Sequence, residues 1–273
     1  MQEGPIGVFD SGYGGLTVLK EIVKELPQYD YLYLGDNART PYGTRSFETI
    51  YEFTRECVLK LFDQGCPLVI LACNTASAKA LRNIQQKDLP IIDSGRRVLG
   101  VIRPTAEVIG TYSKTGHVGV LGTSGTISSG SYEMEIQKQF PDLHVHQQAC
   151  PMWVPLVENG EHNSPGADYF VQQCLDQLFA QSDKIDTILL ACTHYPLLMN
   201  KIRKWAPDHV QILNQGEIVA PSLKDYLNRH PEMDANCLKT GSLRFLTTDS
   251  PTNFDQKASQ FFGGAIHSEF MHL

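Results

Sequence analysis

No stretch of the 273 residues stays apolar for the roughly 18–20 positions that a membrane-spanning helix needs. Basic residues are in deficit: 23 Lys and Arg stand against 30 Asp and Glu, a net charge of −7. That argues against a nucleic-acid partner, because such proteins carry a basic face. It leaves room for a small anion held by local N–H donors. No CxxC pair occurs, and the cysteines (57, 66, 73, 150, 174, 192 and 237) are odd in number. Neither a disulfide framework nor a dithiol oxidoreductase motif is written here. The start, Met1-Gln2-Glu3-Gly4-Pro5, lacks the basic and apolar regions of a signal peptide. Together these absences predict a reducing, cytoplasmic setting and no membrane partner. A GxxxxGK[ST] phosphate loop is missing too. The glycines of Asp10-Ser11-Gly12-Tyr13-Gly14-Gly15 fall short of a dinucleotide fingerprint, since Thr17 occupies the third glycine position and Asp10 would repel a pyrophosphate.

What is present is a globular composition, 42% apolar and 19% charged. Gly7-Val8-Phe9 begins a short strand ending at Asp10-Ser11-Gly12. Leu16, Leu19, Ile22, Val23 and Leu26 then follow helical spacing, and Pro27 stops the helix. Tyr31-Leu32-Tyr33-Leu34 reads as the next strand, and a helix starting at Ser46 presents Ile50, Cys57, Val58, Leu61 and Phe62 on one face. Leu68-Val69-Ile70-Leu71-Ala72 is nearly unbroken apolar sequence, as in a parallel strand buried on both faces. Ile91-Ile92-Asp93-Ser94-Gly95 is expected to close this half.

The same order recurs. Gly119-Val120-Leu121 lies 112 positions after Gly7-Val8-Phe9, and Phe140-Pro141 lies 114 after Leu26-Pro27. Leu190-Ala191-Cys192 lies 119 after Leu71-Ala72-Cys73, and Ile212-Leu213-Asn214-Gln215-Gly216 lies 121 after Ile91 to Gly95. The pattern predicts an α/β protein with two doubly wound parallel-sheet domains related by internal duplication, with the active site between them. The boundary is expected near Gly100–Ile109. Residues 1–99 with 217–273 would form one domain, and 100–216 the other.

Open α/β sheets bind ligands beyond the carboxyl ends of their strands. Asp10-Ser11-Gly12, Cys73-Asn74-Thr75, Gly122-Thr123-Ser124 and Cys192-Thr193-His194 stand there. Two of these stations open with cysteine, one per half, between a strand and an expected helix N-terminus, where a thiolate is stabilised. Cys57, Cys66, Cys150 and Cys174 read instead as small buried hydrophobes. The sequence assigns nothing to Cys237. A metal site would need further ligands at short spacing; His194 is one candidate, and His144 with His146 share a strand face. The chemistry that a mirrored pair of thiols suits is proton transfer on two faces of one carbon, with inversion. Asp10 and His194 could exchange a proton with them. A carboxylate beside a thiol raises the thiol's pKa, so Asp10 suits the role of proton acceptor or ammonium ligand better than that of thiolate stabiliser. Asn74, Thr75 and Thr193 could cradle a carboxylate, or Thr75 and Thr193 could be plain helix caps.

Five motifs then resemble the glutamate racemase family: Phe9-Asp10-Ser11-Gly12-Tyr13-Gly14-Gly15-Leu16, Pro41-Tyr42-Gly43, Cys73-Asn74-Thr75-Ala76, Val154-Pro155-Leu156-Val157-Glu158 and Cys192-Thr193-His194-Tyr195-Pro196. The likeness runs from about residue 5 to 216. Asn37, Thr40 and Arg103-Pro104-Thr105 depart from the family pattern. Aspartate and hydantoin racemases share the paired cysteines. The resemblance implies interconversion of L- and D-glutamate without cofactor or metal, with D-glutamate feeding peptidoglycan synthesis. It implies that Cys73 acts on D-glutamate assisted by Asp10, and Cys192 on L-glutamate assisted by Glu158 and His194. Ser11, Asn74, Thr75 and Thr193 would hold the amino-acid head, and Tyr42 with Gly43 the side-chain carboxylate. Thr123 and Thr126 mirror the Asp10 loop and are further candidates. A homodimer is the default assembly. Two alternatives stay open: a racemase of another acidic amino acid such as aspartate, and a non-catalytic thiol-bearing binding protein on the same fold.

Overall fold

The computed structural model describes residues 3–273; Met1 and Gln2, part of the segment read for targeting signals, lie outside the described residues. Ten strands are formed among them: β1 (Ile6–Asp10), β2 (Tyr31–Gly35), β3 (Leu68–Leu71), β4 (Arg97–Gly100), β5 (His117–Gly122), β6 (His144–Ala149), β7 (Thr187–Ala191), β8 (Gln211–Asn214), β9 (Leu243–Thr247) and β10 (Ser268–Phe270). They build two parallel sheets, ordered β10-β9-β2-β1-β3-β4 and β6-β5-β7-β8. The chain divides into two compact units, residues 1–101 with 216–273, and residues 102–215. Among the described residues no helix is long and apolar enough to cross a membrane.

The duplication is visible in the strand order. The run β2-β1-β3-β4 in one sheet matches β6-β5-β7-β8 in the other. One station differs from the sequence expectation. Ile91 and Ile92 do not form the closing strand; they end the short helix Leu89–Ile92, and Ile91 is 86% exposed. The closing strand is β4, which pairs with β3 from Leu68↔Arg97, as β8 pairs with β7 from Thr187↔Gln211. β4 is an edge strand with only alternate residues buried, so Arg97-Val98-Leu99-Gly100 carries a weaker apolar signal than the helical Ile91-Ile92.

Burial follows position in the sheet. β1, β2, β3 and β7 are buried along their whole length. β2 and β6 occupy equivalent places, yet one reads Tyr-Leu-Tyr-Leu-Gly and the other His-Val-His-Gln-Gln-Ala. The C-terminal extension explains the difference. β9 pairs with β2 from Tyr31↔Leu243 to Gly35↔Thr247, which makes β2 an interior strand. β6 remains an edge, only half-buried, and keeps polar side chains. The helix Phe47–Asp63 is capped by Ser46, whose hydroxyl accepts the Thr49 N–H, and it packs Ile50, Cys57, Val58, Leu61 and Phe62 against Phe9, Leu32, Val69 and Leu71. All seven cysteines are buried, and none is in a disulfide.

Asp30 fixes the register of the extension. Its Oδ1 accepts N–H groups from Thr240 at 2.7 Å and Ser242 at 3.1 Å and the Thr240 hydroxyl at 2.8 Å. Burial on its own pushes the carboxyl upward, but these donors together hold it below its usual value of 3.8. A carboxyl with a depressed folded-state pKa stabilises the fold above its unfolded pKa, and this stability is lost as pH falls through the folded value. Asp30→Asn is expected to lower the unfolding free energy at pH 7 by about 1–3 kcal/mol. Denaturant unfolding at pH 7 and pH 3 checks this: the gap to wild type narrows at the lower pH, and a constant gap contradicts the argument.

Candidate active site

Unit one gathers its polar residues at the carboxyl ends of β1 and β3. Asp10 is the last residue of β1 and is buried; its Oδ1 accepts the Gly12 N–H at 3.0 Å, which folds the loop back over the strand end. Gly15 is required there: a Cβ on it would stand 2.5 Å from the Asp10 Cβ. The missing side chain lets the helix Leu16–Glu25 start directly against Asp10. Tyr33 donates its hydroxyl to Gly12 O at 2.9 Å beneath the loop. Burial, then the charges of Asp10 and Cys73, push its phenol far above the usual value, so all three groups share one neighbourhood.

Cys73 caps the six-residue helix Asn74–Lys79: its Sγ accepts the Ala76 N–H at 3.4 Å. Its thiol lies 3.5 Å from Ser11 Oγ, which brings the β1 and β3 stations together. Asn74 and Thr75 are the first two residues of that helix and are buried. Thr75 is therefore not the cap; the cysteine is. Tyr42 is 1% exposed, and its hydroxyl donates to Asp36. Burial is the main cause that pushes this phenol far up, so it stays neutral. The Tyr42 side chain is thus committed within the protein.

Unit two arranges its stations differently. Thr123 follows β5 and caps the helix Ser124–Ser128, its Oγ1 accepting the Thr126 N–H at 3.2 Å. Cys192 and Thr193 follow β7, but no α-helix begins there. His194 leads into one turn of 3₁₀ helix, Tyr195–Leu198, and an α-helix starts only at Met199. The helix expected directly after Cys192 is absent, and Thr193 is not a cap. Pro196 lies inside this turn, and the Tyr195 N–H returns to Cys192 O at 3.1 Å.

An imidazole takes the place of the helix terminus. His194 Nε2 lies 3.0 Å from Glu158 Oε1, and the same side chain hydrogen-bonds Cys192. Burial, the largest effect, favours neutral His194. The hydrogen bonds to Cys192 and Glu158 and their negative charges outweigh it and push the imidazole up to about 10. His194 thus lies buried between the Cys192 sulfur and the Glu158 carboxylate, both of which favour its protonated form. Glu158 ends the helix Trp153–Glu158, which is held against the β7 turn by Trp153 packing edge-on against Tyr195 and by Tyr195 Oη donating to Cys150 O at 3.1 Å.

The structure brings the sequence-chosen residues together within each unit: Asp10, Ser11, Cys73, Asn74 and Thr75 in one, Glu158, Cys192, Thr193 and His194 in the other. Sequence reasoning missed Tyr33, Asp36 and Tyr132. Tyr132 is buried near enough to Cys192 for that charge to raise its phenol, though burial is the larger cause, and its hydroxyl accepts Gln215 Nε2 at 2.6 Å. Only the fold links Tyr33 to Cys73, Tyr132 to Cys192 and Asp36 to Tyr42. Among the described residues no cluster of three or more His, Cys, Asp or Glu side chains is disposed to hold a metal ion. His146 Nε2 pairs with His117 Nδ1 at 3.0 Å, and His144 stacks on His117.

The geometry makes Glu158 a principal support of the His194 cation. A histidine with a raised folded-state pKa stabilises the fold below its unfolded value of about 6.5, and that stability is lost as pH rises through about 10. Glu158→Gln is expected to lower the His194 pKa by about one unit or more. Imidazole NMR titration, with the signal assigned through His194→Gln, reads it directly; an unchanged titration contradicts the arrangement.

Residues 6–222 match the family model for Asp/Glu/hydantoin racemases. A glutamate racemase from Persephonella marina is 40% identical, over 98% of this chain and 97% of its own length. Among solved structures, a glutamate racemase from Bacillus anthracis superposes with a TM-score of 0.90 at 35% identity, covering 100% of this chain and 99% of its own. One from Francisella tularensis, in complex with D-glutamate, gives 0.87 at 31% identity, covering 100% and 98%. Taken with the two cysteine stations at equivalent strand ends, these likenesses establish that the chain belongs to the Asp/Glu/hydantoin racemase family.

Proposed function

We propose that this protein interconverts L- and D-glutamate by a two-base, two-cysteine mechanism that uses no cofactor. The observation that carries the reading is that a buried cysteine follows each of the equivalent strands β3 and β7, with the Asp10 loop beside one through Ser11 and His194 hydrogen-bonded to the other. The relatives named above as glutamate racemases, one of them in complex with D-glutamate, support the choice of substrate. The same reading makes the protein a cytoplasmic supplier of D-glutamate for peptidoglycan, working as a homodimer.

In the reaction one thiolate removes the α-proton of glutamate, and the second thiol delivers a proton to the other face of the carbon. Cys73 acts as base toward D-glutamate and Cys192 toward L-glutamate. The α-proton is far less acidic than a thiol, so carbanion-like charge has to be stabilised by fixed donors. Ser11, Asn74, Thr75 and Thr193 hold the α-carboxylate and the ammonium group, and the Tyr42 and Gly43 N–H groups hold the side-chain carboxylate. Thr123 and Thr126 line the mirrored loop. His194 supports thiolate character at Cys192 through its positive charge, and Glu158 maintains that charge. Asp10, a carboxylate, exchanges a proton with Cys73 or binds the substrate ammonium.

Incubating either enantiomer of glutamate in D2O tests the reading. Deuterium is expected at Cα, and Cys73→Ala and Cys192→Ala are each expected to abolish racemisation while the fold survives by circular dichroism. Wild-type turnover in either variant rules out two-thiol chemistry. Aspartate turning over faster than glutamate shifts the assignment to that substrate.

The helpers differ between the thiols, so their loss is expected to be directional. Asp10→Asn lowers kcat mainly for D-glutamate, and His194→Asn mainly for L-glutamate, each by about 10²–10⁴-fold. The enantiomers have equal free energy, so kcat/KM must change equally in both directions and the bias appears in kcat with KM following. Cα-deuterated substrates give larger isotope effects in the impaired direction. Equal kcat losses and equal isotope effects in both directions make the two residues binders of substrate instead.

A further inference from the structure

Pro41-Tyr42-Gly43 belongs to a loop, residues 36–43, that contains no strand or helix. Its position is set by side chains, and the first of them comes from the C-terminal extension. Thr248, the residue after β9, uses its hydroxyl twice: Oγ1 donates to Asp36 Oδ1 at 2.8 Å and accepts the Ala38 N–H at 3.0 Å. Its own N–H donates to Gly35 O at 3.1 Å. Asp36 is fully buried and passes the restraint on, its Oδ2 accepting the Tyr42 hydroxyl and Arg39 Nε, the latter at 2.7 Å. Arg39 continues to Glu56 and to Cys57 Sγ on the helix Phe47–Asp63. Thr248 thus reaches Tyr42 through a single buried carboxylate.

We propose that Thr248 is a positioning residue for the side-chain carboxylate subsite at Tyr42 and Gly43, acting through Asp36, so that the extension outside the duplicated core sets discrimination by substrate length. The proposal rests on the glutamate reading above. A buried carboxylate that loses one donor must find another, and the donors within reach are Arg39 and Tyr42, which it already holds. The Ala38 N–H loses its acceptor in the same step. The loop carrying the subsite then slackens, while Asp10 and Cys73 keep their own anchors. Aspartate is one methylene shorter than glutamate, so a movable subsite separates the two poorly.

Thr248→Val keeps the shape and removes the hydroxyl. It is expected to raise KM for both enantiomers of glutamate by about tenfold, with kcat within about threefold of wild type. It also narrows the preference for glutamate over aspartate. Thr248→Ser keeps both hydrogen bonds and is expected to restore KM to within about twofold. A purely structural role would reduce the active fraction and leave KM alone. Tyr42→Phe cuts the same path at its far end, so its effect on KM and that of Thr248→Val combine less than additively. Amide hydrogen exchange supplies an arm independent of activity: Thr248→Val is expected to speed exchange across residues 38–43. Unchanged KM in Thr248→Val overturns the subsite role, and unchanged exchange overturns the clasp. If the wild type racemises a different amino acid, the functional reading fails, while the exchange data and the KM for that substrate still decide the role of Thr248.

Discussion

A parallel strand buried on both faces admits almost no polar side chain until its carboxyl end. β1, β3 and β7 obey this constraint, and the rest of the protein follows from it. Their bodies are Ile6-Gly7-Val8-Phe9, Leu68 to Leu71 and Thr187 to Ala191, nearly all apolar. Asp10, Cys73 and Cys192 stand where the strands stop, at the first positions where an ionisable group can meet donors from a loop. Sheet pairing therefore determines which reactive groups become neighbours.

Duplication repeats this arrangement without repeating its chemistry. Cys73 receives a backbone N–H from the helix that it caps. Cys192 stands before a 3₁₀ turn and pairs with an imidazole that also hydrogen-bonds Glu158. Two devices serve thiols at equivalent strand ends, and a backbone donor and a titrating side chain respond differently to pH. The β7 device also needs a second element: the helix Trp153–Glu158 has to be held in place by Trp153 and Tyr195 before Glu158 can reach His194.

The extension after residue 216 has its own consequences. By pairing β9 with β2 it converts an edge into an interior strand, and Asp30 fixes that pairing. Immediately beyond the last paired residue, Thr248 meets Asp36. A strand added for burial thereby touches the loop of the candidate subsite. The corresponding strand of the other unit, β6, has no such neighbour and stays polar and half-exposed.

Sequence by itself determined the strands that are buried on both faces, the order of the repeat and the residues at the strand ends, because strong apolar runs and their interruptions are local signals. Five motifs were enough to mark Asp10, Cys73, Glu158, Cys192 and His194. The edge strand β4 was not legible, since alternate burial leaves Arg97 to Gly100 a weaker pattern than the exposed Ile91-Ile92. Nor was the cap at Cys73 or the missing helix after Cys192 legible, because a cysteine cap and a 3₁₀ turn leave no distinctive residue pattern. Only the tertiary structure joined Tyr33 to Asp10 and Cys73, Tyr132 to Cys192, and Thr248 to Asp36 and Tyr42. Those contacts link residues separated by up to 212 positions. They exist because strand order, which no local pattern encodes, brings their strand ends side by side.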